Sequence, residues 1–166
     1  MFRLLTSHDG EEYAELVHDA YQADGALGID FAAVDVDMTR EELARILAKH
    51  PTYGLFIQGR LVSAMTLRMP WGEKPGPFGL PHIGWVSTRP EEKRKGYSKR
   101  LFHLLEEQVL QEELKVPAVT LGTATEHPWL ISMYESWGFH VIGKKKLAHN
   151  HHETTYLKKE YGAARD

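Results

Sequence analysis

The sequence predicts an α+β domain in which helices cover both faces of a mixed, mostly antiparallel sheet of six to seven strands. Three patterns predict it: two helices precede any clear strand, a tight hairpin follows them, and the second half alternates strand, helix, strand, helix, strand, strand. A chain of 166 residues, 42% of them hydrophobic, is long enough for one core and short for two. We therefore expect a single domain over residues 1–166, with a polar tail from about residue 158.

Capping signals mark the two helices at the start. Asp9 lies three residues before Glu12, and apolar residues follow at helical spacing. Thr39 and Glu42 form a capping-box pair for the second helix, and Pro51 ends it. We expect no strand before these helices.

Strand-forming residues dominate the middle of the chain. They fill 53–58 and 60–69, and Gln58-Gly59-Arg60 supplies the reversal of an antiparallel hairpin. The Pro- and Gly-rich segment 70–81 predicts an exposed loop. Further strands are predicted over 82–88, 118–123, 139–142 and 154–157, and helices over 97–114 and 128–137.

Composition narrows the classes of function. The chain has no cysteine, which excludes disulfides, thiolate catalysis and cysteine-based metal sites. Its net charge of −3 gives no electrostatic case for nucleic acid or an anionic membrane. No apolar run approaches the roughly 20 residues that cross a bilayer, and the amino terminus lacks a signal-peptide core. We expect a soluble, unexported, cytoplasmic protein.

A histidine cluster at 149–153 is the one segment that suggests a metal. Adjacent ligands on a strand point to opposite faces, and no Asp or Cys framework accompanies them. We therefore favour an exposed polar turn and predict no metal.

The segment 86–98 joins a strand to a helix through a turn with Gly96 and Ser98. A helix start leaves backbone N–H groups without partners and carries about half a positive charge, so a phosphate can bind there when no side chain blocks it. Four cations surround this turn and suit a ligand with several phosphates: Lys93, Arg94, Lys95 and Lys99. The alternative is a solvated basic turn that only caps the helix. The motif is neither a Walker loop nor a GxGxxG fingerprint.

This segment resembles the acetyl-CoA pyrophosphate loop of the GNAT superfamily of N-acetyltransferases. That loop is written Q/R-x-x-G-x-G/A, with a proline six residues before the first glycine. Lys93 stands at the Gln/Arg position, Gly96 at the first glycine and Ser98 at the last position, and Pro90 is the proline.

A second segment, 127–139, looks like the other signature of the family, a short helix that ends in a tyrosine, three more residues and Gly-Phe. Tyr134, Gly138 and Phe139 match it. Gly138 independently predicts the helix end. The two signatures together, correctly spaced, are more specific than either alone.

The resemblance implies that acetyl-CoA is the cosubstrate. The strand 82–88 would separate from 118–123 to admit the pantetheine arm, whose amides would pair with the backbone of Val86 and Thr88. The thioester carbonyl would lie near the backbone of Trp85 and Val86. The residues expected at the cofactor are Val86, Ser87, Thr88, Lys93, Arg94, Lys95, Gly96, Tyr97, Ser98, Lys99 and His127.

The resemblance also implies that a primary amine of a small molecule or peptide attacks the thioester directly in a ternary complex. Tyr134 would act as the general acid that protonates the departing thiolate of CoA. His82 or Glu126 could act as the base, and Glu73 is a third candidate. Each of these three can equally be a side chain that faces the surface or a loop.

The acceptor amine is not identified by the sequence. Four aromatic residues could line its pocket, although aromatic residues are more often packing: Trp71, Phe78, Trp85 and Trp129. Four acidic residues are candidates to attract a cationic amine, although most such charges face water: Asp24, Asp30, Asp35 and Asp37. Homodimers are frequent in similar proteins. The alternative function is a non-catalytic CoA-binding sensor or assembly module, against which the presence of Tyr134 argues.

Overall fold

The structure is a computed structural model that describes residues 1–26, 39–146 and 153–162. The predicted histidine turn at 149–152, the acidic residues Asp30, Asp35 and Asp37, and the side chain of Asp24 lie outside the described part.

Seven strands form one mixed sheet in the order β1-β2-β3-β4-β5-β7-β6. Strands β4 and β5 are parallel, whereas the pairs β1–β2, β2–β3, β5–β7 and β6–β7 are antiparallel. This confirms the predicted fold class. The strands are β1 (Phe2–Leu4), β2 (Thr52–Ile57), β3 (Arg60–Arg68), β4 (His82–Thr88), β5 (Ala118–Ala124), β6 (His140–Lys146) and β7 (Glu153–Glu160).

The helices follow the predicted order. They are α1 (Gly10–Ala26), α2 (Arg40–Lys49), α3 (Tyr97–Leu105) and α4 (Pro128–Ser136). Short 3₁₀ turns cover Ser7–Asp9 and Pro90–Glu92, and the chain after α3 continues as a π-helical segment over Glu106–Glu113. None of the helices within the described ranges has both the length and the apolar character needed to cross a membrane.

Residue contacts divide the chain into two compact units. The first contains Met1–Leu67 and Trp85–Glu107, and the second contains Arg68–Gly84 and Gln108–Asp166. Strand β4 therefore contributes residues to both units. The organisation as a single domain stays a prediction.

The first unit has a core of side chains from α1, α2 and β3. Apolar residues at helical spacing on the two helices face the strand, and the cluster includes Tyr13, Leu16, Val17, Leu43, Ile46, Leu61 and Ala64. In the hairpin between β2 and β3, Gln58 and Gly59 both have positive φ, 52° and 79°, as a type I′ turn requires.

Two expectations for the start of the chain were wrong. Strand β1 precedes the helices, and it is too short, at three residues, to show a periodicity. The capping box lies one turn earlier than expected: the Thr6 hydroxyl accepts from the His8 amide, and the Thr6 amide donates to the Asp9 carboxylate at 2.7 Å. Arg3 also binds this carboxylate through two hydrogen bonds of 2.8 Å. The pKa of Asp9 falls to about 2, mainly because of its hydrogen bonding to Arg3.

The second unit contains β5, β7 and β6 as an antiparallel array. Strand β7 continues three residues past Leu157, so residues 158–160 belong to the sheet rather than to a tail. The reason is that β7 has a partner on each side, with Lys158 opposite both Thr120 and His140. Backbone pairing therefore continues although the side chains become polar.

Candidate active site

The basic turn begins at a buried arginine that the sequence did not single out. Arg89 is 1% exposed, and its Nε donates to the Leu61 carbonyl at 2.8 Å. Its Nη1 lies 2.6 Å from Glu15 Oε1, and its backbone amide donates to the Val62 carbonyl. A buried guanidinium is stable only when it is paired and hydrogen-bonded. Arg89 therefore fixes the start of the turn to β3 and α1.

The turn itself is shaped by two residues with positive φ, Arg94 at 71° and Gly96 at 77°. Gly96 adopts this conformation without steric cost and is the N-cap of α3. No side chain in the described ranges caps this helix start, and a Cβ on Gly96 would meet no described heavy atom within 4 Å. The start of α3 is therefore uncapped and unobstructed beside Gly96, as an anion-binding helix terminus requires.

The predicted cations occupy different positions around this turn. Lys93, Arg94 and Lys99 are exposed. Lys95 is also exposed, but its Nζ lies 2.9 Å from Glu92 Oε2, and the bond to that carboxylate raises the pKa of Lys95. The neighbouring Tyr97 and Ser98 are half-buried. Exposed cations beside uncapped amides form a surface suited to phosphate groups.

Strand β4 contains a conformation that the sequence does not signal. Trp85 has φ 45°, in the left-handed region, although it lies in the middle of a strand and carries a bulky side chain. The parallel ladder of β4 with β5 comprises the pairs His82–Thr120 and Ile83–Leu121, which precede it. Such a residue is unfavourable by about 1–3 kcal/mol and is retained only where its surroundings enforce it, often at functional sites.

The predicted pantetheine-binding residues follow Trp85 along β4. Val86 and Thr88 are half-buried, whereas Ser87 is buried and its carbonyl accepts from Ser63 Oγ at 3.0 Å. The Thr88 hydroxyl lies 2.9 Å from the same Ser63 oxygen. Hydrogen bonds to β3 thus hold this part of β4 in place.

Tyr134, the predicted acid, is buried in the last turn of α4. Its ring packs edge-to-face against Trp137 and Phe139, with centroid distances of 5.1 and 6.1 Å. Burial raises the pKa of Tyr134 to about 12, so the hydroxyl keeps its proton at neutral pH. No hydrogen bond to this hydroxyl occurs among the described residues. Tyr134 is therefore in the protonation state that a proton donor needs.

The end of α4 is a Schellman motif. The Phe139 amide donates to the Tyr134 carbonyl at 3.1 Å, the Gly138 amide donates to the Glu135 carbonyl at 3.0 Å, and Gly138 has φ 104°. The spacing of the Tyr-x-x-x-Gly-Phe signature is thus the spacing between the first carbonyl and the last amide of this motif.

The candidate bases differ in environment. His82 is buried, and its Nδ1 lies 2.8 Å from Thr120 Oγ1. Burial, together with the positive charge of Arg68, lowers the pKa of His82 to about 4, so the ring is neutral at pH 7 but weakly basic. Glu126 is exposed in the turn after β5, and Glu73 is exposed in the loop between β3 and β4.

The remaining predicted residues are placed as follows. His127 is the N-cap of α4 and is buried, with its ring 4.9 Å from that of Trp129. Trp71 and Trp129 are exposed, Phe78 packs edge-to-face against Tyr156 at 5.2 Å, and Trp85 lies 5.7 Å from the ring of His50. Phe78, Trp85 and Trp129 thus make separate local contacts.

The sequence reasoning missed Arg68 and Tyr156, which share one face of the sheet with His82. The strand glycines Gly84 and Gly122 could have indicated these two residues, since a glycine inside a strand often marks a close approach of another group. Arg68 lies against Gly84, and Tyr156 lies against Gly122.

Comparison with known proteins places this chain in a family. A family model described as an acetyltransferase (GNAT) domain matches residues 1–142. The chain therefore belongs to the GNAT family of acetyltransferases, which confirms the resemblance given by its two signatures.

Two curated relatives from Bacillus subtilis (strain 168) narrow the class to N-acetyltransferases. S-(2-succino)cysteine N-acetyltransferase is 42% identical over 159 residues, which cover 96% of this chain and 94% of the relative. S-alkylcysteine N-acetyltransferase is 38% identical over 144 residues, which cover 85% and 79%. The chain is thus an N-acetyltransferase, and catalysis is supported over the alternative of a non-catalytic binding module.

A solved structure with low sequence similarity confirms the fold. PaiA N-acetyltransferase from Thermoplasma acidophilum, in complex with coenzyme A, has a TM-score of 0.74 at 18% identity. The superposition covers 97% of this chain and 98% of that one.

Proposed function

We propose that this enzyme transfers the acetyl group of acetyl-CoA to the α-amino group of an S-substituted cysteine. The similarity to the two cysteine-conjugate N-acetyltransferases carries this proposal, because both relatives act on a cysteine whose sulfur bears a substituent. The product is the corresponding N-acetyl cysteine thioether.

The uncapped start of α3 supports acetyl-CoA as the donor. The diphosphate would accept hydrogen bonds from the amides that follow Gly96, with Lys93 and Arg94 adding charge. The backbone of β4 around Val86 would pair with the pantetheine amides. The complex of PaiA N-acetyltransferase with coenzyme A supports this part of the proposal by fold similarity.

The chemistry is a direct displacement. The neutral amine attacks the thioester carbonyl carbon and the C–N bond forms, after which the nitrogen releases a proton to water. The C–S bond breaks, and the thiolate of CoA takes the proton of the Tyr134 hydroxyl. Tyr134 recovers its proton from solvent afterwards. Its high pKa keeps the hydroxyl protonated until the C–S bond breaks.

The acceptor must lose an ammonium proton before it attacks. A pKa near 4 makes His82 a poor acceptor for this proton. We therefore assign removal of this proton to water. Among the candidate bases, the exposed Glu126 is the first to test for a role in accepting the proton from that water.

The test is a comparison of acceptors with acetyl-CoA as donor, following the release of CoA thiol and the mass of the acetylated product. S-methylcysteine and S-(2-succino)cysteine are expected to have a kcat/KM at least about tenfold above that of lysine or an N-terminal peptide amine, the tenfold step corresponding to about 1.4 kcal/mol. Acetylation of the other amines without acetylation of either cysteine derivative would overturn the substrate assignment. Failure of excess acetyl-CoA to raise the Tm would overturn the assignment of the donor.

A further inference from the structure

One face of the second unit carries side chains from three neighbouring strands. His82 lies opposite Thr120, and Gly122 lies opposite Tyr156. Because alternate residues of a strand share a face, Gly84 lies on the same side as His82, and Gly122 on the same side as Thr120. Two adjacent strands, β4 and β5, therefore present a glycine on this face.

Two long side chains lie across these glycines from opposite sides. Arg68 Cδ is 3.2 Å from the position that a Cβ of Gly84 would occupy. Tyr156 Cε1 is 3.1 Å from the corresponding position of Gly122. The glycines thus allow Arg68 and Tyr156 to lie flat over the sheet, with Arg68 coming from the β3 side and Tyr156 from β7.

The two side chains interact electrostatically. Burial lowers the pKa of the Arg68 guanidinium, and its electrostatic interaction with Tyr156 opposes this effect. The charge of Arg68 in turn contributes to the low pKa of His82, whose ring lies 6.3 Å from that of Tyr156. A guanidinium, an imidazole and a phenol therefore share a small part of this face.

The loop between β3 and β4 fixes the orientation of the guanidinium. Arg68 Nε donates to the Lys74 carbonyl at 2.7 Å, and Nη2 donates to the Pro75 carbonyl at 3.3 Å. Both of these partners are backbone carbonyl groups. The loop packs closely here, since a Cβ on Gly76 would lie 2.6 Å from His82 Cγ. The guanidinium is thus preorganised by its own chain.

We propose that Arg68 binds the α-carboxylate of the acceptor, with the Tyr156 hydroxyl beside it and the rings of Tyr156 and Phe78 in contact with the S-substituent. This inference rests on the proposed function, in which the acceptor is an amino acid. Its carboxylate lies one carbon from the reacting amine and needs a cationic, hydrogen-bonding partner when it leaves water. A planar guanidinium can bind both carboxylate oxygens, and a thioether chain packs favourably on aromatic rings.

The proposal predicts selectivity for a free α-carboxylate over the same amine without it. The diagnostic acceptors are S-methylcysteine and 2-(methylthio)ethylamine, which differ only in that carboxylate. The wild-type enzyme is expected to prefer S-methylcysteine in kcat/KM by about 10- to 100-fold, the range for hydrogen bonds to charged groups. Arg68→Gln should lose this preference mainly through a higher KM for S-methylcysteine, and change the rate with 2-(methylthio)ethylamine by less than about threefold.

Two further variants distinguish binding of the acceptor carboxylate by Arg68 from a role of Arg68 in supporting the loop between β3 and β4. Arg68→Lys keeps the charge but loses the planar fork, so it should retain an intermediate preference. Lys74→Gln removes an exposed charge from the same loop and keeps the carbonyl that holds Arg68, so it should behave as wild type with both acceptors. The Tm and the acetyl-CoA affinity of each variant show whether the fold is intact.

Equal losses of Arg68→Gln with both acceptors would overturn the proposal, since Arg68 would then only support the loop. An unchanged preference in that variant would overturn it as well. A wild-type enzyme that acetylates neither S-substituted cysteine but does acetylate other amines would instead refute the proposed function. The two failures are therefore distinguishable before any Arg68 variant is made.

Discussion

Substitution of Gly96 by alanine should weaken acetyl-CoA binding far more than it destabilises the protein. Gly96 has φ 77°, a conformation that costs an alanine about 1–2 kcal/mol. No described heavy atom lies within 4 Å of the new Cβ, so no clash adds to this cost. We expect the Cβ to obstruct the diphosphate, which is proposed to approach the helix amides beside Gly96. Loss of one amide–phosphate bond costs about 1.5–3 kcal/mol, or roughly 10- to 100-fold in Kd.

The hairpin turn supplies a matched control. Gly59 has φ 79°, and a Cβ there also meets no described heavy atom within 4 Å. Gly59→Ala should therefore destabilise the protein as much as Gly96→Ala does, by about 1–2 kcal/mol, which lowers the Tm by about 2–8 °C for a chain of this size. Calorimetric titration with CoA should show wild-type affinity for Gly59→Ala and the 10- to 100-fold loss only for Gly96→Ala.

Equal CoA affinities in the two variants would refute the assignment of the diphosphate to the start of α3. A difference of more than about 1 kcal/mol between their free energies of unfolding, measured with urea, would instead show that backbone strain alone does not explain the loss of stability. Because the two glycines have nearly the same φ and are both exposed, neither result could be attributed to a general loss of fold.

Two further predictions concern buried groups. Tyr134→Phe keeps the ring against Trp137, so kcat should fall about 100-fold or more while acetyl-CoA affinity is retained; equal losses of both would argue against an acid role. His82 binds a proton in the unfolded chain near pH 6.5 but in the folded chain only near pH 4, so stability should decline as the pH falls through this window, by up to about 3 kcal/mol. Urea unfolding should show that His82→Gln removes this decline, and that substitution of the exposed His140 does not.

The chain order of the helices and the later strands was predictable because it rests on local chemistry. Thr39 caps α2 through the Glu42 amide at 3.1 Å, and the hairpin turn takes the conformation that Gly59 permits. The short β1 was not predictable, because a three-residue strand is stabilised by pairing with residues 53–55, about 50 positions away. Local pattern contains no information on such pairing.

The candidate site likewise has parts that local sequence predicts and parts that it does not. The turn around Gly96 and the motif around Tyr134 are contiguous segments, so their geometry follows from neighbouring residues. The left-handed conformation of Trp85 was not predictable from neighbouring residues. Tryptophan favours extended backbone, and only the surroundings in the sheet can enforce the exception. Arg68 was missed for a related reason, since its place over Gly84 depends on the pairing of strands.

The Schellman motif explains how the second signature positions the hydroxyl that we propose as the general acid. Its two hydrogen bonds fix the last turn of α4, and Tyr134 supplies one of the two carbonyls that accept them. The position of the Tyr134 side chain is therefore set by the residues that end the helix, Gly138 through its positive φ and Phe139 through its amide and ring. A tyrosine one residue earlier or later in the helix would point about 100° away around the axis, since each residue advances the helix by that angle. The glycine and phenylalanine thus belong to the signature as the means of aiming the tyrosine, without any contact with the substrate being required of them.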